Sequence, residues 1–255
     1  MKVKLSGVVI TFNEEDKISK CIESLEPVCD EILIVDSFST DKTKEICLSK
    51  KVTFVTNKFD GHIEQKNYAK SLAKYDYIIS LDADEVLDDE AQKSVLKIKE
   101  NWSNNGYSFN RLNNYCGKWI KYGSWYPDIK LRIWDRRFGN WGGINPHDEF
   151  ILSKSEKTKV LNGYILHYTA DSKEQYQNQM KYFSEIAAKA YFAKNKSSST
   201  FKIILNPLFR FLRDYFLKFG VLDGIAGFQV CKATAYVTYL KYTQLKKLNR
   251  SKTSK

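Results

Sequence analysis

The stretch Tyr77-Ile-Ile-Ser-Leu-Asp82-Ala-Asp84-Glu85 joins a short apolar run to three closely spaced carboxylates. The apolar run has the composition of a buried strand, and open α/β sheets present functional groups at the carboxyl ends of such strands. Three carboxylates at one strand end repel one another unless a cation joins them. Hard ions such as Mg²⁺ bind a few carboxylate oxygens and leave positions open for phosphate. The stretch therefore predicts a metal site for a phosphorylated substrate, and the alternative is a solvated acidic turn.

Residues 1–100 alternate strand-like and helix-like patterns. Strands are predicted over 5–11, 31–36, 52–56 and 77–81, and helices over 13–25, from a capping cluster at 39–41 to 48, and over 63–72. Strands separated by helices indicate a parallel sheet with right-handed crossovers. No GxGxxG follows the first strand, so the sequence lacks a dinucleotide-binding fingerprint.

Polar side chains stand at three of the predicted strand ends. Thr11 and Glu14 follow the first strand, Asp36 ends the second, and Asp82 and Asp84 end the fourth. Ligands of open parallel sheets bind beyond the carboxyl ends of the strands. These residues therefore predict one shared binding edge.

The rest of the chain changes character twice. Residues 101–170 are rich in aromatic residues and glycine and show short alternating runs, which predict antiparallel strands and loops. Residues 171–199 have helical spacing and end in the polar linker 194–200. From Phe201 the pattern is that of an amphipathic helix with an apolar face from Ile204 to Phe219, and a second helical pattern follows over 225–240.

The positive charge is concentrated in this last region. The chain carries 41 basic and 30 acidic residues, and residues 201–255 hold 11 and 2 of them, a local balance of +9. Such a region requires an anionic partner, either lipid headgroups or nucleic acid. A basic amphipathic helix with an aromatic face suits a membrane interface, and the alternative is a helix packed on its own domain.

Cysteine usage and the N-terminal sequence indicate a cytoplasmic protein. The five cysteines are odd in number and form no CxxC pair, which argues against a disulfide framework and a structural zinc site. The N-terminal residues show no secretory signal, and no run of 18 uncharged apolar residues predicts a transmembrane helix. We therefore expect a folded protein in a reducing compartment.

Several motifs together resemble family 2 glycosyltransferases of the GT-A fold. In the first half they are VVITFNEE (8–15), EILIVDSFSTDKT (31–43), Gln65-Lys66-Asn67 and ISLDADE (79–85). The second half is similar to bacterial lipopolysaccharide-core β-glucosyltransferases in Gly117-Lys-Trp-Ile, Trp125-Tyr-Pro-Asp128, Lys130-Leu-Arg-Ile-Trp134, Pro146-His147-Asp148-Glu149 and Leu166-His167-Tyr168. The resemblance implies an α/β fold of GT-A type, with a mostly parallel sheet flanked by helices and a C-terminal amphipathic helical region.

The resemblance also implies three segments with different roles. Residues 1–100 form the nucleotide-sugar-binding half, and residues 101–170 form the acceptor-side and catalytic segment of the same domain. Residues 171–255 form a basic helical region that associates with the membrane. The implied enzyme is an inverting glycosyltransferase that moves a hexose from a nucleotide diphosphate sugar to a hydroxyl of a lipopolysaccharide-core or other surface-glycan acceptor.

The resemblance assigns the donor side to the strand-end residues. A divalent metal, Mg²⁺ or Mn²⁺, offsets the charge of the leaving nucleoside diphosphate. Asp84 is expected to ligate it directly, with Asp82 near the ribose or assisting the metal. Asp36 is expected to accept from a ribose hydroxyl or a base N–H, and the alternative is the start of a capped turn. The residues that would line the same nucleotide pocket are Thr11, Glu14 and Gln65.

A one-step inversion also needs a general base on the acceptor side. In the subgroup that the chain resembles, a histidine is followed by Glu; here Asp148 follows His147, and Glu149 comes next. Asp148 and Glu149 therefore remain alternative bases. His147 is a third candidate, or it orients a phosphate or a carboxylate.

Four further polar residues have less specific interpretations. Arg132 lies in a strand-like run and is expected to face the diphosphate. His167 is interpreted as a hydrogen-bonded core histidine, with a phosphate contact as the alternative. Lys66 and Asn67 are interpreted as solvated surface of a helix.

Two rival functions use the same features. The run Leu81-Asp82-Ala-Asp84-Glu-Val86 fits the nucleophile motif of haloacid-dehalogenase-type phosphohydrolases, but no βα pattern after residue 100 supplies their other groups. The basic C-terminal region suggests a nucleic-acid-binding module, but its charges alternate with a thick apolar face. We therefore expect as partners a nucleotide diphosphate sugar, a lipid-linked saccharide acceptor and the inner face of the cytoplasmic membrane, and no nucleic acid.

Overall fold

A parallel βαβ arrangement forms the first part of the computed structural model, which describes residues 2–144, 147–153 and 157–253. Its strands pair in parallel with the third strand at one edge, then the second, the first and the fourth. The elements are β1 (Leu5–Thr11), α1 (Ile18–Leu25), β2 (Glu31–Asp36), α2 (Thr43–Leu48), β3 (Thr53–Thr56), α3 (His62–Leu72) and β4 (Tyr77–Asp82).

Both faces of this parallel sheet are buried, as expected where helices cover a sheet on two sides. Side chains alternate between the faces of a strand. In β1, Leu5 and Val9 pack in one apolar cluster with Ile22 of α1, whereas Val8 packs in a second cluster with Ala69 of α3. The sheet is therefore a rigid support for the residues at its carboxyl edge.

Antiparallel strands complete the sheet. The elements are β5 (Glu85–Leu87), α4 (Asp89–Glu100), β6 (Gly106–Tyr115), β7 (Lys118–Ile120), β8 (Ile129–Asp135), β9 (Gly139–Ile144), β10 (His147–Leu152) and β11 (Thr158–Ala170). The full order is β3-β2-β1-β4-β8-β6-β11-β5, with β7 paired to β6, and β9 and β10 form a separate antiparallel pair. The predicted α/β class and the predicted antiparallel character of residues 101–170 are confirmed.

The helix predicted over residues 13–25 is shorter in the structure because α1 begins only at Ile18. Asn13 has a positive φ of 52°, and its Oδ1 accepts a hydrogen bond from the Thr40 backbone N–H at 2.8 Å. The Glu14 backbone N–H donates to the Thr43 hydroxyl at 2.8 Å. Residues 13–17 therefore form a loop bonded to the turn after β2, and those contacts replace a first helical turn.

The chain divides into two units by its internal contacts. The first contains Met1–Arg111 and Asp128–His167, and the second contains Leu112–Pro127 and Tyr168–Lys255. The three segments predicted from the sequence were defined by their roles and not by internal contacts, so that division stays a prediction.

The second unit is largely helical. Its helices are α5 (Lys173–Ala193), α6 (Thr200–Leu212) and α7 (Gly224–Thr253), with a π-helical turn at Arg213–Leu217 and a 3-10 turn at Gly220–Asp223 between the last two. Tyr176 and Met180 of α5 pack with Val230 of α7 in a buried cluster. Within the described part of the chain, no helix combines the length and hydropathy needed to cross a membrane.

The apolar face predicted from Ile204 to Phe219 is partly exposed and partly packed in the structure, with Ile204, Leu208 and Phe219 exposed. Phe211 stacks on Tyr215, and both rings contact Phe228 of α7, so these two residues pack inside the unit. No residue of α6 itself is buried. We call the α6–α7 corner the set of exposed apolar side chains Phe209, Phe216, Leu217, Phe219, Leu222 and Ile225, which are among the exposed apolar residues between α6 and the start of α7.

Candidate active site

The carboxyl ends of β2, β1 and β4 lie side by side. Thr11 is the register partner of Asp36 across β1 and β2, and Asp82 pairs with Ile10 across β1 and β4. Three of the residues singled out in the sequence therefore stand at one edge of the sheet, as parallel pairing requires. Their roles in binding stay predictions.

Asp36 is buried and shapes the turn that follows β2. Its carboxylate accepts hydrogen bonds from the Ser39 backbone N–H at 2.9 Å and from the Ser39 hydroxyl at 2.5 Å. These are the contacts of the capped-turn alternative, but each carboxylate oxygen has a second lone pair that can accept from a ribose hydroxyl. Beside it, the Thr11 hydroxyl is buried and has no hydrogen-bond partner among the described residues.

Gln65 and Glu14 flank the same edge. The Gln65 side chain is buried; its Nε2 donates to the Ser37 hydroxyl at 3.0 Å, and its Oε1 accepts from Asn57 Nδ2 at 2.8 Å. Gln65 thus connects α3 to the segments that follow β2 and β3. The Glu14 carboxylate forms an ion pair with Lys17 at 3.5 Å.

Three exposed phenylalanines follow the neighbouring strands β1, β2 and β3, and sequence reasoning missed them. They are Phe12, Phe38 and Phe59, with exposed fractions of 56, 59 and 45%. Phe38 has a positive φ of 62°, which is uncommon for a residue with a side chain. Exposed aromatic faces at a ligand-binding edge are suited to stacking on a planar ring.

The carboxylates at the end of β4 are joined by cations of the protein. Asp82 lies 2.8 Å from Lys66 and 3.1 Å from Arg132. Glu85 is fully buried and pairs with Arg132 at 2.6 Å and with Arg111 at 3.0 Å. Burial opposes ionisation of Asp82, but the charges of Lys66 and Arg132 outweigh it and hold the pKa of Asp82 well below its ordinary value. The cations that join Asp82 and Glu85 are thus side chains, which corrects the argument that their crowding calls for a metal.

Arg111 extends this network to the start of β8. Its guanidinium contacts Asp128 at 2.8 Å, and Lys130 contacts the other oxygen of Asp128 at 3.1 Å. Burial of Asp128 opposes its ionisation, but Arg111 and Lys130 lower its pKa. These two cations were not singled out as site residues in the sequence, although Arg132, in the same strand as Lys130, was.

Asp84 has a different partner from its neighbours. Its Oδ2 lies 3.1 Å from Nε2 of His167 on β11. Burial disfavours the charged carboxylate, but the adjacent His167 outweighs it and lowers the pKa of Asp84, so this carboxylate is ionised at neutral pH. No group of three or more His, Cys, Asp or Glu side chains among the described residues could hold a metal by itself. One carboxylate and one imidazole fit a divalent ion that takes its other ligands from phosphate and water.

The β9–β10 hairpin presents the candidate bases and is held by α3. Asp148 Oδ2 accepts from Lys66 Nζ at 2.8 Å. Asn67 bonds the backbone of Trp141 twice, through its Nδ2 to the carbonyl at 2.9 Å and through its Oδ1 to the N–H at 3.0 Å. Glu149 is exposed on the next position of the strand. The side chain of His147 lies outside the described residues.

A cavity of about 300 Å³ connects these groups within the first unit. Its size lies at the lower end of the range for small-molecule sites. The lining residues are Lys66, Asp82, Arg111, Lys130, Arg132, Asp148 and Glu149. The structure thus brings together four of the residues selected from the sequence, Asp82, Arg132, Asp148 and Glu149, and adds three cations to them.

Lys66 is the clearest residue that sequence reasoning misplaced. It was interpreted as solvated surface, but its side chain is only 4% exposed and contacts two carboxylates. The neighbouring Asn67 is likewise bonded to the hairpin. In the sequence, Lys66 belongs to a polar triplet in a helix that has no clear apolar and polar sides. Such a pattern does not show which face of the helix is buried.

Comparison with known proteins identifies the family. The sequence profile described as "Glycosyl transferase family 2" matches residues 6–160. The lipopolysaccharide core biosynthesis glycosyltransferase LpsC of Rhizobium meliloti is 30% identical over 94% of this chain and 90% of its own length. An uncharacterised glycosyltransferase of Rickettsia typhi is 28% identical over 96% of this chain and 88% of its own length. Among solved structures, S. aureus TarS 1-349 aligns at 15% identity with a TM-score of 0.48, over 94% of this chain and 91% of that chain.

The profile covers more than half of the chain, and LpsC matches it nearly end to end. The parallel βαβ sheet with its antiparallel extension agrees with the GT-A type of fold expected from the sequence. The chain therefore belongs to glycosyltransferase family 2 and is a glycosyltransferase.

Proposed function

We propose that this glycosyltransferase moves a hexose from a nucleotide diphosphate sugar to a hydroxyl of a lipopolysaccharide-core or other surface-glycan acceptor, with inversion at the anomeric carbon. The observation that carries the proposal is the single cavity in which a donor-side carboxylate, Asp82, and the acceptor-side carboxylates, Asp148 and Glu149, meet. The name of the relative LpsC supports the choice of acceptor class.

The donor nucleotide binds at the carboxyl edge of β1, β2 and β4. The carboxylate of Asp36 and the unpartnered hydroxyl of Thr11 supply an acceptor and a donor for the ribose or the base. The exposed ring of Phe38 stacks on the base. Gln65 and Glu14 border the same pocket, and Arg132 stands where it can face the diphosphate.

Asp84 and His167 would hold a divalent ion, Mg²⁺ or Mn²⁺, which would take its other ligands from the donor phosphates and water. When bound, the ion offsets the negative charge of the departing diphosphate. The pKa of Asp84 lies below its ordinary value, so the carboxylate does not have to lose a proton before it binds the ion.

The transfer is one displacement with a general base. The acceptor oxygen forms a bond to the anomeric carbon while the bond from that carbon to the diphosphate oxygen breaks, and the diphosphate leaves with the electron pair. The acceptor hydroxyl gives its proton to Asp148, with Glu149 as the alternative base. Asp148 is favoured because it shares a cation with the donor-side Asp82, whereas Glu149 is exposed.

The α6–α7 corner attaches the enzyme to an anionic membrane face, where a lipid-linked acceptor is found. Its apolar side chains are unusually exposed, with Ile225 at 80% and Leu217 at 71%. The two acidic residues nearby, Asp214 and Asp223, are buried, so the exposed charge comes from bases such as Lys202 and Lys218. Exposed apolar side chains together with basic charge fit anionic headgroups. Association of two copies of the protein through this surface is disfavoured, because their positive charges would face each other.

Two measurements test the function. Thermal shifts with nucleoside diphosphates and their sugars, with and without Mn²⁺, identify the donor because a ligand of the native state raises the melting temperature. Transfer is then followed with the identified donor and lipopolysaccharide truncated within the core, and the anomeric configuration of the product is read by NMR. Retention of configuration, or no transfer to any saccharide acceptor from any stabilising donor, contradicts the proposal.

Separate measurements distinguish the two rivals. Membership of the glycosyltransferase family argues against a phosphohydrolase. Release of phosphate from phosphomonoesters without sugar transfer would support the phosphohydrolase instead. Gel shift with DNA against sedimentation with anionic vesicles separates a nucleic-acid partner from a membrane surface for the basic C-terminal region.

A further inference from the structure

One buried lysine links the two carboxylates that the proposed function places on opposite sides of the reaction. Lys66 Nζ lies 2.8 Å from Asp82 Oδ1 and 2.8 Å from Asp148 Oδ2. The same ammonium lies 4.5 Å from the centre of the Trp141 ring. The two carboxylate oxygens are therefore separated by at most twice the lysine contact distance. Lys66 therefore contributes to the balance of charge between them, together with Arg132, which lies 3.1 Å from Asp82.

The contact of Lys66 with Asp148 is separate from the contacts that hold the hairpin in place. The backbone of the hairpin is bonded by Asn67 to Trp141, at 2.9 and 3.0 Å, and by Lys70 Nζ to the Gly139 carbonyl at 2.9 Å. The described contacts of the Lys66 ammonium are with the carboxylates of Asp82 and Asp148 and with the Trp141 ring. Loss of the Lys66 ammonium therefore frees the Asp148 side chain without releasing the hairpin backbone.

The strand pattern explains why Asp148, and not its neighbour, meets the lysine. Alternate residues of a strand share a face. Phe150 is buried and stacks on Trp134 with ring centroids 4.0 Å apart, so the face of β10 that carries Phe150 and Asp148 points inward. Glu149 and the exposed Ile151 occupy the other face.

We propose that Lys66 is a positioning residue for the transfer reaction, which holds the Asp148 carboxylate next to the donor-side Asp82 and in line with the acceptor hydroxyl. This inference rests on the proposed function, because it takes Asp148 as the base. Without the ammonium, the Asp148 carboxylate loses the 2.8 Å contact that fixes its position, and the base no longer meets the acceptor hydroxyl. A misplacement of about 1 Å in a reacting group costs about 10²-fold in rate.

The test compares three single variants. Lys66→Met removes the charge and keeps much of the side chain that lies against Trp141. Lys66→Arg keeps the charge. Lys70→Met is the matched control, because Lys70 lies one turn further along α3 and contacts the same hairpin without touching a carboxylate by any described ion pair. For each variant we would measure kcat, the KM of donor and acceptor, donor Kd by calorimetry, and the melting temperature.

We expect Lys66→Met to lower kcat about 100-fold while donor Kd changes less than about threefold, and Lys66→Arg to recover at least about tenfold of that loss. Lys70→Met should lower kcat at least about tenfold less than Lys66→Met does, because the two Asn67 bonds to Trp141 still hold the hairpin backbone. In an Asp148→Asn background, Lys66→Met should cause no further loss, because a residue that acts through another adds nothing once that residue is gone.

Three results would overturn the inference. The first is a large rise in donor Kd with kcat unchanged, which would make Lys66 a donor contact. The second is additive losses in the double variant. The third is equal losses in Lys66→Met and Lys70→Met, which would make both structural. A parent enzyme that transfers no sugar refutes the proposed function itself, and an active parent with any of these three results refutes only the role of Lys66.

Discussion

Nε2 of His167 lies 3.1 Å from Oδ2 of Asp84, and this contact joins the end of the β11 segment of the first unit to the turn after β4. In the sequence the two residues are far apart: His167 lies in the strand β11, and Asp84 lies in the acidic stretch after β4. The two side chains lie within hydrogen-bond distance of each other. The pair supplies one oxygen and one nitrogen ligand, which is the basis of the first prediction.

Asp84→Asn should lower the transfer rate at least about 100-fold, because the charge of the leaving diphosphate would lose its counter-ion. The same variant should lose the extra thermal stabilisation that Mn²⁺ gives in the presence of a nucleoside diphosphate. Asp60→Asn is the control, since Asp60 is exposed and pairs only with Lys58 in the described contacts. Undiminished turnover of the parent in excess EDTA would contradict the metal assignment.

Asp148→Asn and Glu149→Gln should differ sharply in rate. Loss of a general base costs about 10²–10⁴-fold, and we expect that loss for Asp148→Asn and less than about tenfold for Glu149→Gln. Donor binding, measured by calorimetry, should survive in both because neither residue stands at the β1–β2–β4 edge. If both variants turn over at nearly the parent rate, the base lies elsewhere; the opposite order would assign it to Glu149.

Replacing Phe209, Phe216 and Ile225 together by Ser should release the protein from anionic vesicles. Each side chain contributes on the order of 1–2 kcal/mol when it enters the interface, so the partition coefficient should fall at least about 100-fold. Binding of the parent should weaken with salt without vanishing, since basic residues add about 1 kcal/mol each near an anionic surface.

The control for that measurement is a protein with Ser in place of the exposed Leu48, Leu72 and Leu96, which removes as many apolar side chains from the first unit. Circular dichroism must show that both triple variants are folded. If the two variants partition alike, or if the parent does not bind the vesicles, the α6–α7 corner is not the attachment surface.

Stability should fall as the pH drops below about 4, and Asp82 should account for part of the change. The folded-state pKa of Asp82 lies below its ordinary value, so its contribution is present above about pH 4 and is lost as the pH falls toward the folded value. Asp82→Asn should therefore show a smaller drop in unfolding free energy between pH 5 and pH 2 than the parent, by urea titration. Glu100→Gln, at an exposed position, should keep the parental drop; equal drops in Asp82→Asn and parent would contradict the assignment.

Much of the first unit could be predicted from local pattern. The strands Leu5–Thr11 and Glu31–Asp36 were predicted with the bounds that the structure has, because short apolar runs between helical segments are buried on both faces. The polar ends Thr11, Asp36 and Asp82 could be placed on one edge because parallel strands share the direction of their carboxyl ends. The strand Glu85–Leu87 was missed, because three residues are too few to show the alternation of apolar and polar side chains that identifies a strand.

The charge partners could not be predicted, because ion pairs depend on which faces meet after packing. Lys66 and Asp148 are 82 positions apart in the chain. Lys66 looks like a surface residue of a helix until the β9–β10 hairpin covers that face. Glu85 was counted among metal-binding carboxylates until its fully buried side chain was found between Arg111 and Arg132.

The sequence by itself determined the family, the parallel sheet and the edge where polar groups gather, because these follow from periodicity and local motifs. The tertiary structure alone decided which cation neutralises which carboxylate, and which side of the last helices is exposed. Phe211 and Phe209 are both apolar residues of α6, yet only Phe211 packs on Phe228. The physical reason is that the sequence of a helix gives only the spacing of its apolar residues. Which of those residues are buried depends on the elements that pack against the helix.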